Sequence, residues 1–368
     1  MPVSGTALLV VAWRLYRIER QTGALVVLLA AGLLFRLSAA GDWYLHEWDE
    51  RYHALVAKHL IEKPFRPVLY ADPVLDYDYR DWTANHVWLH KPPLALWLMA
   101  LSMKLFGVNE FAARLPSVIL STVGVYLTFC TGRLLFDPAV GLIAAALQVM
   151  NGLLLDLAAG RRPTDHVDTV LLFFVSLGGY AVALDQVRPR WRAVVLIGLC
   201  TGCAYLTKSY IALLIPALWV AALVGTEQPK GALGARFLAM LALATALVVP
   251  WRIHVTSHFA PEAAWESGYV LRHLRESLEG HMSPWFSYLA RIGRDFGELS
   301  YVPLLWFIAS PRSRWQGAGE RLLLVWLLLP LLVFSAAATK LPGYLAVSAP
   351  AIFLIVALFM CRAGASQP

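Results

Sequence analysis

Charge is what this chain has least of. Asp, Glu, Lys and Arg make up only 15% of its 368 residues, while 59% are hydrophobic. Soluble domains carry about 25% charged and about 45–50% apolar residues, so the chain is read as an integral membrane protein. Cysteine is scarce as well. Cys130, Cys200, Cys203 and Cys361 all lie in apolar segments, and the Cys200-x-x-Cys203 pair reads as two small residues of a buried helix, not as a redox or metal motif. Internal repeats, metal-finger spacings and a glycine-rich phosphate loop are missing. Residues 1–20 lack a clean cleavage site and carry Arg14, Arg17 and Arg20, so they are expected to form a cytoplasmic lead-in, an interfacial helix and not a signal peptide. The net charge of +7 does not imply nucleic acid, because the arginines cluster in short loops between apolar runs.

What the chain does have is hydrophobic runs near the roughly 20 residues that a spanning helix needs. They predict an all-α polytopic bundle of ten spans, at about 21–40, 115–135, 139–158, 167–185, 191–207, 209–225, 236–255, 298–311, 321–339 and 344–361. The connections holding Arg133, Arg188/Arg190/Arg192, Lys230/Arg236, Arg312/Arg314/Arg321 and Arg362 then fall on one face with the lead-in arginines. By the positive-inside rule that face, and both termini, are cytoplasmic. "LALWLMALSMKLFG" at 94–107 is rejected as a span: Ser102 and Lys104 interrupt it, and its apolar positions suit an interfacial helix. Residues 1–362 are therefore expected to form one transmembrane domain, with 363–368 a short cytoplasmic tail.

Two long outer loops follow from this path, 41–114 and 256–297, with short outer turns near 159–166 and 340–343. Loops of that length in a compact domain are usually functional. "WDERYHALVAKHL" opens an amphipathic helix, with Asp49 and Glu50 at the exit of the first span. The plain reading of Asp49 is an N-cap, but a cap does not explain acids placed where desolvation is costly. Asp168 stands at the mouth of a later span with Asp165 just before it, and a salt bridge to Arg161 or Arg162 is the structural alternative. On the same face stand Lys91, Lys208, Lys340, Arg272, Arg275 and His281. Each cation alone could be a snorkelling side chain. Together, carboxylates beside cations at a membrane surface suit a lipid-linked phosphate, held by the cations while a carboxylate deprotonates a nucleophile.

Six segments now occur in a telling order: "WDERYHALVAKHL", "HKPPLALWLMALSMKLFGVNEFAARLPS", "DTVLLFFVSL", "YLTKSYIALLIPAL", "GHMSPWFSYL" and "TKLPGYLAVSAPA". Together they resemble bacterial GT-C glycosyltransferases of the protein-mannosyltransferase and aminoarabinose-transferase type, over about residues 25–355. The resemblance implies an inverting enzyme that takes its sugar from a polyprenyl-phosphate donor at the outer face of the inner membrane. The acceptor it implies is a lipid such as lipid A, a cell-envelope glycan or a protein. It further implies that Asp49 is the base or acceptor-orienting group with Glu50 its neighbour, and that Asp168 is the second acid. Lys91 of "KPP" is matched to the lipid phosphate, and Lys340, Tyr344 and His281 to late motif positions. Arg272 or Arg275 is the candidate phosphate-binding arginine of the late loop.

The usual "LTKG" is "LTKS" here, at Lys208. Longer relatives continue past the late motif, and a smaller acceptor is the expectation for a chain ending where this one does. No metal is assigned, although a divalent cation bridging Asp49 and the phosphate stays open. A flippase or transporter of lipid-linked saccharides is the alternative, and it would place charges inside spans within an inverted repeat. A phosphoethanolamine-type transferase would need a nucleophile and a metal cluster in a soluble outer domain. The sugar and the acceptor are left open.

Overall fold

The computed structural model describes residues 2–224, 230–310 and 317–365. Among them the regular structure is helical, and the only extended pairings are isolated antiparallel bridges joining Val68 to Val87 and Met282 to Thr339. Lipid dictates that economy, because a helix satisfies every backbone hydrogen bond within its own segment.

The first two helices, α1 (Pro2–Arg17) and α2 (Gln21–Ala39), form an antiparallel pair. Gly5 lies against the ring of Phe35 and Gly23 against Leu15. The expected interfacial lead-in is corrected by this: α1 folds back along the first span instead of lying away from it. Burial explains why, since Leu9, Ala12, Leu15 and Tyr16 join one apolar cluster with Leu25 and Leu28. Arg14, Arg17 and Arg20 stay at the connection.

Next come α3 (Asp49–Leu60), α4 (Leu94–Phe106) and α5 (Glu110–Leu135). Arg114 in the first turns of α5 donates to the carbonyls of Ala40 and Asp42, just beyond α2. The chain therefore leaves and rejoins the bundle on one side, here called the site face. Between those points α3 and α4 build a platform, and α4 is a short helix with Leu101, Leu105 and Phe106 exposed. As expected, it does not span.

After α5, α6 (Pro138–Met150) and α7 (Gly152–Ala158) make one span bent by 59°. Asn151 occupies the bend, capping α7 through the Leu154 amide and donating to the Asp295 carbonyl at 2.7 Å. α5 and α6 approach closely where Gly132 meets Gly141, which leaves no room for a Cβ on either. α8 (Asp165–Val187), α9 (Trp191–Lys208) and α10 (Leu214–Leu223) follow. Read by length, 191–223 is a single 33-residue helix. Contacts show two spans instead. Lys208 pairs with Asp168 at the start of α8, Ile215 packs on Gly178, and the Trp219 indole donates to Asp185 near its end. The chain reverses at Ser209, whose φ is +49°.

The bundle is completed by α11 (Lys230–His258), α12 (Ala260–Arg275), α13 (Ser287–Phe296), α14 (Tyr301–Ile308), α15 (Ala318–Ala336) and α16 (Ala349–Ala365). Among the described residues seven helices are long and apolar enough to cross a membrane, or eight with the bent pair. Splitting 191–223 and adding the short segment Glu298–Ile308 brings the number to about the ten expected. That short segment stops at Ile308, not 311. Arg312, Arg314 and the last residues of the tail lie outside the described residues, and α16 itself continues to Ala365. The main core sits between α8, α10, α15 and α16, around Trp219, Trp326 and Leu354.

Candidate functional site

Asp49 and Glu50 open α3, and the residue before them, Trp48, has φ +66°. Their surroundings diverge at once. Glu50 is 1% exposed. Its carboxylate meets the Arg114 guanidinium at 2.6 and 3.0 Å, the His46 amide at 2.6 Å and His166 Nε2 at 3.2 Å. Burial alone would raise its pKa, but the hydrogen bonds of His166 and Arg114 outweigh burial and hold it far below the ordinary carboxylate range. Gly160, with φ +79°, lies against this carboxylate so closely that a Cβ would overlap Glu50 Oε1.

Asp49 is half-buried and accepts one hydrogen bond, from the Thr164 amide at 2.6 Å. Burial opposes its ionisation, yet the charges of Lys91, His53 and His90 and the Thr164 amide lower its pKa overall. It is therefore ionised at neutral pH.

Thr164 joins the two acids singled out in the sequence. Its amide holds Asp49 while its hydroxyl donates to Asp168. This residue and Asp165 have φ of +69° and +26°, a left-handed geometry that non-glycine residues adopt at a cost of about 1–3 kcal/mol. Asp168 is also paired with Lys208, whose ammonium stands 4.7 Å from the centre of the Tyr344 ring. Asp165 faces the other way, toward His53 on α3 at 2.9 Å. The competition between the two acids is thus resolved in space, with Asp168 on the Lys208 side. Neither bridges to Arg161 or Arg162, which pair with Asp42 and Asp156.

A cavity of about 470 Å³ adjoins these groups, walled by α10, α12 and α15. Its polar end carries His90, Lys91, Lys208, Tyr269, His273 and Tyr344, and its other end is apolar, with Leu214, Ala217, Leu329, Val333 and Phe334. His273 is pushed down to about 4 by burial and by the charges of Lys91 and His90, so it is neutral there. Lys91 has no hydrogen bond or ion pair among the described residues. A free ammonium at the polar end of an oily cavity is suited to an anionic head on a hydrocarbon chain.

The remaining candidates lie further out. Arg272 is paired with Glu276 at 2.7 Å and stacks near Trp265 and Tyr269. Arg275 is exposed at the end of α12. The main chain of His281 accepts from the Lys340 amide at 3.0 Å, which ties the late loop to the α15–α16 turn. Lys340 is buried, its ammonium turned to the Ala337 carbonyl. No group of three or more His, Cys, Asp or Glu able to hold a metal occurs among the described residues.

Four participants escaped the sequence reading: Arg114, Thr164, His166 and His53. Arg114 sits inside "FAARLPS", an apolar stretch where an arginine is costly unless paired, and that was the available signal. Thr164 carried none, because a left-handed threonine looks like any loop threonine.

The chain is similar to known proteins in both sequence and fold. Residues 90–254 match the sequence profile of the family described as dolichyl-phosphate-mannose-protein mannosyltransferase. The undecaprenyl phosphate-alpha-4-amino-4-deoxy-L-arabinose arabinosyl transferase of Pseudomonas aeruginosa is 30% identical over 284 residues, covering 72% of this chain and 49% of that protein. The chain thus spans about half the length of the curated relatives it matches. ArnT from Cupriavidus metallidurans superposes with a TM-score of 0.73 at 20% identity, covering 93% of this chain and 60% of that one. Its structure bound to undecaprenyl phosphate gives 0.72 at 19% identity, with the same coverage. The fold is that of a GT-C transmembrane scaffold. Within that class, the chain is most like the protein-mannosyltransferase and aminoarabinose-transferase type in sequence.

Proposed function

We propose that this protein is an inverting membrane glycosyltransferase that moves a sugar from a polyprenyl-phosphate donor to an acceptor hydroxyl. The observation that carries the reading is the unpaired Lys91 at the polar end of the oily cavity, beside ionised Asp49. In this reading the donor's prenyl chain lies along α10 and α15, and its phosphate meets Lys91 with Lys208 behind it. Asp49 removes the acceptor's proton as the phosphate leaves, already stabilised as an anion. Asp168 fixes Lys208, and Tyr344 covers that ammonium. Glu50 positions the helix that carries Asp49. Arg272 and Arg275 receive the phosphate at the rim, while His281 and Lys340 hold the late loop against the bundle. The bound structure of the Cupriavidus protein and the arabinosyl-transferase relatives support a lipid-phosphate donor here too. The arginine distribution supports a site face on the outside of a bacterial inner membrane, with the chain acting as one transmembrane domain. Acceptors of three kinds fit: lipid, glycan and protein.

The test is transfer in reconstituted vesicles with a panel of radiolabelled polyprenyl-phosphate sugars and a cell-envelope extract as acceptor. A labelled product that depends on the protein and on one donor supports the reading. Protein-driven movement of the intact lipid-linked sugar across the bilayer, with no transfer from any donor, supports a flippase and overturns it.

A further inference from the structure

Glu279 is a carboxylate near the polar end of the cavity that the mechanism above does not use. It belongs to the late loop, between α12 and α13. One oxygen, Oε1, accepts from the Trp82 indole and from the Tyr269 hydroxyl, each at 2.8 Å. The other, Oε2, has no hydrogen bond among the described residues, and its ion-pair partner His281 Nε2 stands at 3.9 Å, beyond hydrogen-bond reach. The backbone that presents this carboxylate is pinned on both sides. The Leu278 amide donates to the Thr339 hydroxyl at 3.0 Å, and the Lys340 amide donates to the His281 carbonyl at 3.0 Å. Between these ties Glu279 and Gly280 have φ of +54° and +73°, and a left-handed glutamate is a conformation that the fold imposes at a cost.

Its neighbours belong to the site. Tyr269 lines the polar end of the cavity with His90 and Lys91, and Trp82 stacks on His90 with ring centroids 4.7 Å apart and planes 10° apart. Burial opposes ionisation of Glu279, but the Tyr269 hydrogen bond and the charges of His90 and Lys91 outweigh it and hold its pKa below the ordinary value. Tyr269 is pushed above its own ordinary value by burial and by Glu279, so it stays a donor. A clasp between the first and late loops would need no charge, since a neutral amide oxygen can accept the same two hydrogen bonds. A negative charge in the field of Lys91 also competes with the donor phosphate. A carboxylate with one oxygen fixed and one open therefore calls for a further partner, a hydrogen-bond donor that arrives with the substrate.

We propose that Glu279 is a sugar-binding residue: its open oxygen accepts hydrogen bonds from hydroxyls of the donor's sugar, while Trp82 and Tyr269 hold it in place. This rests on the reading of the cavity as a polyprenyl-phosphate site, because the sugar is then bonded to the phosphate that Lys91 holds. It deepens that reading by dividing the donor head in two, with cations on the phosphate and Glu279 on the sugar. No bond is made or broken at Glu279, which orients the substrate and takes no proton.

Glu279→Gln tests this directly. Glutamine keeps a carbonyl for Trp82 and Tyr269, so the clasp survives, but it puts an amide donor where the open oxygen stood. The protein in vesicles is titrated with bare undecaprenyl phosphate and with the undecaprenyl-phosphate sugars of the donor panel, each displacing a fluorescent polyprenyl phosphate. For the sugar lipid that binds the wild type, we expect affinity to fall at least about tenfold, the scale of one hydrogen bond to a charged group. Bare lipid phosphate should bind no more weakly than to the wild type, and the melting temperature should not move. A clasp alone, which glutamine preserves, predicts no change in either affinity. Wild-type affinity for the sugar lipid in Glu279→Gln, or an equal loss for sugar lipid and bare lipid, overturns the proposal. Should the variant fail to fold, monodeoxy donors decide with the wild type: a tenfold loss at one hydroxyl supports sugar binding, and indifference at every hydroxyl overturns it. A wild type that binds neither lipid removes the donor reading itself. Binding of both lipids with full sugar-lipid affinity in Glu279→Gln removes the role of Glu279 alone.

Discussion

Asp49 and Glu50 are adjacent acids on the first turn of one helix, and they have opposite environments. Glu50 is closed off by Arg114, His166 and His46, with every oxygen engaged and almost no exposure. Asp49 holds one backbone amide and, among the described residues, keeps an oxygen free, near a lysine that likewise has no partner among them. A helix turn separates successive side chains by about 100°, since 3.6 residues complete a turn, so α3 sends one acid to Arg114 and the other to the Thr164 amide, within reach of the Lys91 charge. What the pair teaches is that burial and catalytic promise are different things. The more strongly perturbed carboxylate is the one whose hydrogen-bonding capacity is already spent.

The sharpest way to break the comparison is to neutralise each acid in turn. Asp49→Asn is expected to lower kcat by at least about 100-fold while leaving melting in detergent nearly unchanged. Glu50→Gln should do the reverse, lowering the melting temperature first and activity only as the folded fraction falls. Equal kinetic losses in both variants, with equal stability, would erase the distinction.

Arg114→Ala comes next in size. It strands a buried carboxylate, and breaking a buried pair from one side costs about 3–5 kcal/mol. The pH sign follows from Glu50. Its folded pKa lies below the ordinary value near 4.3, so its stabilisation is complete above that value and is lost as pH falls through the depressed one. Removing Arg114 takes away part of that depression. The variant should therefore start less stable at neutral pH but lose less further stability as acid is added than the wild type does, which melting curves recorded between neutral pH and pH 3 would show.

Lys91→Ala acts on the open side of the comparison. Hydrogen bonds to charged groups contribute about 1.5–3 kcal/mol, so donor affinity should weaken by roughly tenfold or more, read as a rise in KM with kcat less affected. Lys91→Arg, which keeps the charge, should recover much of it. An unchanged donor KM in Lys91→Ala would move the phosphate away from this lysine.

How much of this was legible beforehand follows from the kind of signal each residue leaves. The spans were readable because hydrocarbon demands long apolar runs, and the hairpin at Ser209 was drawn correctly from the arginine pattern where helix length alone suggests one continuous rod. α1 was misjudged because amphipathic composition fits lying on lipid and lying on another helix equally well; only the contact of Gly5 with Phe35 decides. Asp49, Asp168, Lys91 and Lys208 were visible as charges at the edges of apolar runs, and the structure does bring them together. Their connection through Thr164 was not visible, since it depends on a left-handed backbone and not on composition. The separate duties of Asp165 and Asp168, three residues apart on one helix, likewise depend on which neighbouring element each one faces.

The smallest expected effect is at the rim. Arg272 is exposed and shares its guanidinium with Glu276, and pairs of that kind contribute about 0–1 kcal/mol to stability. Its neighbours Leu271 and Leu274 line the cavity, so its charge stands where an anionic lipid head would arrive. Rim charges act mainly on association rates. Arg272→Gln should therefore slow donor capture by about two- to threefold at low salt and leave kcat untouched. The difference should vanish when salt shortens the Debye length to a few ångströms. Stopped-flow binding of a fluorescent polyprenyl phosphate at two ionic strengths measures it. A salt-independent loss of affinity as large as that of Lys91→Ala would place the arginine on the bound phosphate itself, and the open site would then be built by α12 as much as by the platform.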